Sequence, residues 1–189
     1  LRSAAASQAE TLYFNGDGTQ RLIAKYARFQ SEQDTLQLKS YAWIYRSLVE
    51  GNVDFIWGAN RVSLFEESEI RSVGDTQNPA QGGYVLQARS VAADDKGFVF
   101  LNSALTHGPG PGPLAGDVPA GSTYLARSGG SAAYFDNVVF INTRMDTHVA
   151  GLGWAAAGVN GQPASNPAVP SATSGWREYG STDLSGNPL

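Results

Sequence analysis

The chain has 189 residues, 42% of them hydrophobic and 16% charged, with a formal net charge of −4. That is enough for one domain with a sizeable core, and it argues against recognition of the phosphate backbone of nucleic acid. Cysteine is absent, which excludes disulfides, thiolate metal sites and a cysteine nucleophile, and no uninterrupted apolar run is long enough to span a bilayer.

Glycine is abundant at 22 residues and aromatics make up 11%. With no sustained helical periodicity, this composition points to a β-rich chain with many turns. The opening Leu1-Arg2-Ser3-Ala4-Ala5-Ala6 lacks the basic flank and apolar core of a signal peptide, so an export signal is expected upstream of it. From there a ten-residue pattern recurs in five windows: Leu22–Ser31, Ala42–Gly51, Ser63–Ser72, Phe98–His107 and Val138–Thr147. The third place of each window holds Ala24, Ile44, Phe65, Phe100 and Phe140. The sixth holds the small residues Ala27, Ser47, Ser68, Ser103 and Thr143, and the eighth holds Phe29, Val49, Ile70, Leu105 and Met145.

The third and eighth places differ by an odd number, so one straight strand would send them to opposite faces. A bend at the small sixth residue would return both to the interior. The first three windows recur every ~20 residues, a solenoid spacing. The later windows are separated by the Gly/Pro-rich segments Val73–Gly83 and Gly108–Gly121, which read as long loops leaving one side of a coil stack. Val159–Ser174 reads as a further loop over the outside. The alternative is a β-sandwich, which needs hairpin turns; Asn15-Gly16 is the one good candidate in the strand-rich part.

The repeat carries a chemical expectation. Asp34 and Asp54 each lie twelve residues after the start of their windows, so they occupy one phase on consecutive coils. Strands stack about 4.8 Å apart, and two carboxylates at that separation cannot both ionise freely, so one is expected to keep its proton near neutral pH. Such a pair suits a nucleophile beside a general acid; equally, each Asp could cap a turn. Asp75 shares the phase but sits in Gly74-Asp75-Thr76-Gln77-Asn78-Pro79, which reads as a structural loop.

Gln33-Asp34-Thr35-Leu36 and Gly51-Asn52-Val53-Asp54-Phe55-Ile56-Trp57-Gly58 resemble two signatures of the pectin methylesterase family. Ser7-Gln8-Ala9, Tyr124-Leu125-Ala126-Arg127, Gly153-Trp154 and Glu178-Tyr179-Gly180 resemble its other landmarks in the same order. The resemblance implies an all-β chain folded as a right-handed parallel β-helix, a pectin lyase-like solenoid, that removes methyl esters from pectin. It implies a single catalytic domain over residues 1–189 that starts several coils into the family's helix and stops short of its C-terminus.

By motif, the resemblance makes Asp54 the nucleophile and Asp34 the general acid and base. Gln8 and Gln33 become oxyanion donors, and Arg127 becomes the partner that holds Asp54 ionised. Trp57 and Trp154 are candidates for the substrate cleft or for core aromatics. No metal or organic cofactor is implied; the partner is the polysaccharide, the chain is expected to be a monomer, and the location is extracellular, or periplasmic or outer-membrane-associated in a bacterium. After Arg127 the family continues with Pro-Trp, whereas this chain reads Ser128-Gly129. That departure admits a second reading, an esterase or thioesterase with another acyl substrate. A third is a non-catalytic polysaccharide-binding β-helix. His107 and His148 lie in no Ser-His-Asp pattern.

Overall fold

The computed structural model describes residues 8–112, 116–155 and 170–189. The strands follow one another in coils. Strands β1 (Leu12–Phe14), β2 (Arg21–Lys25) and β3 (Arg28–Gln30) make the first described coil. The next is β4 (Leu36–Leu38), β5 (Ser40–Tyr45) and β6 (Leu48–Gly51), followed by β7 (Val53–Gly58), β8 (Asn60–Glu66) and β9 (Glu69–Val73). Two more coils comprise β10 (Tyr84–Ala88), β11 (Gly97–Leu101), β12 (Ala104–Gly108), and β13 (Tyr124–Ala126), β14 (Val138–Ile141), β15 (Arg144–Met145). Strands β16 (Trp176–Tyr179) and β17 (Thr182–Asp183) lie above them.

Every third strand pairs, so three sheets run the length of the stack: β1-β4-β7-β10-β13, β2-β5-β8-β11-β14-β16 and β3-β6-β9-β12-β15-β17. All pairings between these strands are parallel. The fold is a right-handed parallel β-helix, the hand that parallel crossovers favour. Asn15-Gly16 joins β1 to β2, which belong to different sheets, so it makes no hairpin and the sandwich alternative falls. Among the described residues no helix is long and apolar enough to cross a membrane.

The window pattern maps onto this register. Ala24, Ile44, Phe65, Phe100 and Phe140 lie one above another in the second sheet. All but Ala24 are completely buried, and Phe65, Phe100 and Phe140 stack with ring centroids 4.8 and 4.4 Å apart. Phe29, Val49, Ile70, Leu105 and Met145 form the matching row of the third sheet.

Between the two rows the chain turns on one residue with left-handed backbone: Tyr26, Arg46, Glu67, Asn102 and Asn142, with φ of 45–55°. Such a conformation is costly for non-glycine residues. The small residue that follows offsets it. Ser47 Oγ accepts the Ala27 N–H at 3.1 Å, Ser68 Oγ the Ser47 N–H at 3.2 Å, and Ser103 Oγ the Ser68 N–H at 3.2 Å. Each hydroxyl in turn donates to a backbone carbonyl at the same corner. The sixth place is small because it is a rung of a buried hydroxyl ladder.

The two expected loops leave the stack between the third and first sheets and bind each other: the Gly74 N–H donates to the Gly116 carbonyl at 2.9 Å. Glu32, buried at the same corner, accepts the Thr76 N–H at 3.0 Å and its hydroxyl at 2.5 Å. Most of Val159–Ser174 lies outside the described residues.

Candidate active site

The first sheet carries the group of interest on its outer face. Its inward row is Leu36, Ile56, Leu86 and Ala126, all buried. One residue further on, Gln37, Trp57 and Gln87 line up on successive coils, facing outward, and Arg127 follows Ala126 in the same phase on the next coil.

Asp54 is three residues before Trp57, so simple alternation would point it the other way. Strand β7 breaks that alternation. Against β10 its register shifts, with Tyr84 opposite Val53 but Leu86 opposite Ile56, so β7 carries one extra residue. Asp54 takes the left-handed conformation there, φ 45°. A bulge of this kind re-aims a side chain, and here it brings the carboxylate to the side of Gln87 and Arg127. Asp34 has the same conformation one coil below, φ 58°, and the Gln33–Val53 bridge and the Asp34 N–H to Val53 carbonyl bond hold the two in register. The motif's last glycine has a backbone reason: a Cβ on Gly58, at φ 140°, would lie 2.0 Å from the Leu38 carbonyl oxygen.

Both carboxyls are nearly enclosed, 4% exposed for Asp34 and 6% for Asp54, and their electrostatics differ. Burial first, and the Asp54 charge second, push Asp34 up to about 7. Burial also raises Asp54, but Arg127's hydrogen bonds and charge act in the opposite direction. Arg127 Nε donates to Asp54 Oδ1 at 2.9 Å and contacts Oδ2 at 3.2 Å, and its Nη2 donates to Oδ2. Arg127 hydrogen-bonds Asp54 and not Asp34, so of the two it favours ionisation of Asp54 more, and a proton shared by the pair is expected on Asp34. The Arg127 guanidinium is itself seated on the Tyr84 ring, 4.5 Å from its centroid.

Gln33 is half-buried beside Asp34. Gln8 is exposed one coil below, where the Ala9 N–H reaches the Gln33 carbonyl at 3.4 Å. Trp57 lies on the outer face with the Arg89 guanidinium 4.5 Å from its ring centroid. The structure brings Gln33, Asp34, Asp54, Trp57 and Arg127 to one face across consecutive coils, with the backbone at Gln8 in register below Gln33. It does not bring Trp154 there. That ring stacks on Trp176 at 5.5 Å and packs on Phe140 at 5.9 Å, partly buried against the end of the core; the Arg127–Ala155 bridge sets it in the inward phase of Ala126. Asp75 is buried and its carboxylate accepts the Gln77 N–H at 2.8 Å, a turn cap as expected.

Two residues of this face escape a reading of the sequence. Gln87 donates from Nε2 to Asp54 Oδ2 at 3.2 Å, and Arg89 donates from Nε to Gln87 Oε1 at 2.7 Å. They follow the Val73–Gly83 loop, which interrupts the 20-residue phase. The available signal was parity: Tyr84–Ala88 is an apolar strand whose one polar residue is Gln87. Gly129 closes the group, since a Cβ there would lie 3.3 Å from Gln87 Oε1 and 3.8 Å from Arg89 Nε.

The chain and its fold have counterparts among known proteins. The pectinesterase family model matches residues 2–165. A probable pectinesterase of Arabidopsis thaliana is 32% identical over 128 residues, covering 67% of this chain and 34% of the relative. A pectinesterase of Aspergillus niger is 30% identical, covering 67% and 35%. Among solved structures, the rice weevil pectin methyl esterase superimposes with a TM-score of 0.68 at 18% identity, over 94% of this chain and 51% of that one. A pectin methylesterase of Erwinia chrysanthemi gives 0.63 at 24% identity, over 89% and 51%. The chain thus spans about a third of the length of those sequence relatives and about half of those structures. With its matching motifs and its coil-by-coil register, the chain belongs to the pectinesterase family.

Proposed function

We propose that this chain carries the catalytic centre of a carboxylic ester hydrolase that removes methyl esters from pectin, giving pectate and methanol. The observation that carries the reading is the unequal carboxyl pair: Asp54 clamped by the Arg127 fork, Asp34 in register with it and holding a proton up to about pH 7. Asp54 attacks the ester carbonyl carbon of a methylated galacturonate, and the tetrahedral oxyanion accepts hydrogen bonds from Gln8 and Gln33, a contribution of about 3 kcal/mol per donor in acyl transfer. Collapse expels methoxide, which takes the Asp34 proton and leaves as methanol. Asp34, now ionised, removes a proton from water; the hydroxide attacks the acyl-enzyme and releases Asp54. Action outside the cell, as a monomer on polysaccharide, goes with this reading.

The test is methanol release from highly methylated pectin by the full chain and by Asp54→Ala and Asp34→Ala, with circular dichroism on each. The expected result is release by the parent and its loss in both variants with the fold intact. A well-folded parent that releases no methanol from pectin but hydrolyses small esters or thioesters would replace pectin by another acyl substrate. Gly129, which lies beside Gln87 and Arg89 and carries no side chain, is the feature that favours that second reading.

A further inference from the structure

Asp54 has two carboxylate oxygens in unequal surroundings. Oδ2 receives Nη2 of Arg127, a longer contact from its Nε at 3.2 Å, and Nε2 of Gln87 at 3.2 Å, while Oδ1 receives one donor, Nε of Arg127, at 2.9 Å. A glutamine amide can present either its oxygen or its NH2 group to a neighbour, and only its partners decide which. Arg89 decides here: a guanidinium has donors and no acceptor, so the Gln87 atom 2.7 Å from Arg89 Nε must be the oxygen. The amide NH2 is then committed to Asp54. Gln87 is 5% exposed, which leaves its amide little access to alternative partners in water. Arg89 is itself located by its stacking on Trp57, 4.5 Å from the ring centroid.

We propose that Arg89 and Gln87 are positioning residues for the nucleophile: Arg89 fixes the Gln87 amide, whose N–H pins Oδ2 of Asp54 and leaves Oδ1 as the oxygen that attacks. The proposal rests on the esterase reading for the attack itself, whereas the anchoring of Asp54 stands apart from turnover. A carboxylate free to rotate about its last torsion would present either oxygen. One held at Oδ2 by donors from both Arg127 and Gln87 presents Oδ1 along a single direction, the positional gain that makes a nucleophile effective.

The experiment uses the full chain and four variants: Gln87→Met, Arg89→Met, Arg89→Lys and the double Gln87→Met/Arg89→Met. Titration of the Asp54 carboxyl carbon by 13C NMR reads the anchoring whether or not pectin is turned over, and methanol release reads the reaction. The expected result is an upward shift of the Asp54 midpoint in Gln87→Met and in Arg89→Met. Both should show kcat lowered about 10- to 100-fold, the scale of a lost hydrogen bond to a charged group, with KM for pectin little changed. Arg89→Lys, which still offers donors and no acceptor to Gln87 Oε1, should recover most of the loss. The double variant should be no worse than Gln87→Met, because Arg89 acts through the amide. An unchanged Asp54 midpoint in both Met variants would overturn the proposal. So would an Arg89→Met variant with raised KM and normal kcat, which would make Arg89 a substrate contact. If Gln87→Met does not fold, the partly exposed Arg89 and its Lys rescue decide the question alone. A parent that is inactive on pectin but shows the shifted midpoints would remove the esterase reading and keep the anchor.

Discussion

Single residues of this face are held in states that cost stability, and pH exposes the cost. Asp34 ionises near 3.8 in an unfolded chain but at about 7 in the fold, because burial and then the Asp54 charge oppose ionisation. Between those values the folded state binds the proton that the unfolded state has released, so the contribution of Asp34 to stability falls as pH rises from 4 to 7. Asp34→Asn removes the penalty. Its urea midpoint should exceed the parent's at pH 8 and match it at pH 4, while activity is lost. Arg127 has the opposite character, since it lowers Asp54 against the pull of burial. Arg127→Lys keeps the charge but not the fork, so we expect activity to fall on the order of 10- to 100-fold and the acid limb of the rate profile to move upward. An unshifted acid limb would mean that Asp54 does not depend on the fork for its ionisation. The sequence placed Asp34 and Asp54 in one phase by counting alone. It did not reveal how Asp54 and Trp57, an odd step apart, share a face, because that depends on a bulge and a left-handed residue that propensity disfavours.

At the scale of elements, the corner between the second and third sheets shows why the windows were legible. Their third, sixth and eighth places are two packed rows and a hydroxyl ladder, so composition alone exposes them. Ser103→Ala tests the ladder. The buried Ser68 N–H loses its acceptor, an expected cost of about 1–3 kcal/mol in urea unfolding, whereas Ser103→Thr should be nearly neutral because Thr143 fills the same place one coil on. The next corner holds His148, fully buried, with neither ring nitrogen paired among the described residues. It faces His107, which is itself bonded to Asp117 at 2.8 Å and near Asp146 at 3.6 Å. Burial first, and His107 second, push His148 down from 6.5 to about 4. The unfolded state therefore binds a proton that the folded state refuses, and stability falls as pH drops from 6.5 to 4. This slope opposes that of Asp34 over nearly the same window, so each partly masks the other in the parent. Asp34→Asn should lose stability towards acid, and His148→Leu should lose it towards pH 7. A flat profile in both variants would sink the assignment of these two groups. Nothing in the sequence marked His148 out, since an isolated histidine in no motif reads as an ordinary surface residue.

Across the whole molecule the site is an assembly of the stack. Asp34, Asp54, Gln87 and Arg127 come from four consecutive coils, so they meet only if each coil pairs in the right register with the next. Local pattern could place the first two, which lie 20 residues apart, but not Gln87 and Arg127, whose coils are displaced along the chain by the loops at 73–83 and 108–121. Two devices could set the register: the backbone ladders of the sheets, or the stacked Phe65, Phe100 and Phe140 rings inside. Phe100→Ala separates them. Gln87 and Phe100 share a coil, and Phe100 pairs in register with Phe65 below and Phe140 above. Truncating a fully buried phenylalanine should cost about 3–5 kcal/mol, and in a solenoid that loss is confined to neighbouring coils. If the backbone ladders set the register, the urea midpoint falls while methanol release by the folded protein, at low temperature and without denaturant, stays near the parent's. If the rings set it, Gln87 is displaced from Asp54, and turnover drops even where circular dichroism is native. The ladders are expected to prevail, because each coil is paired in all three sheets at once, so one sheet cannot slip unless the other two slip with it.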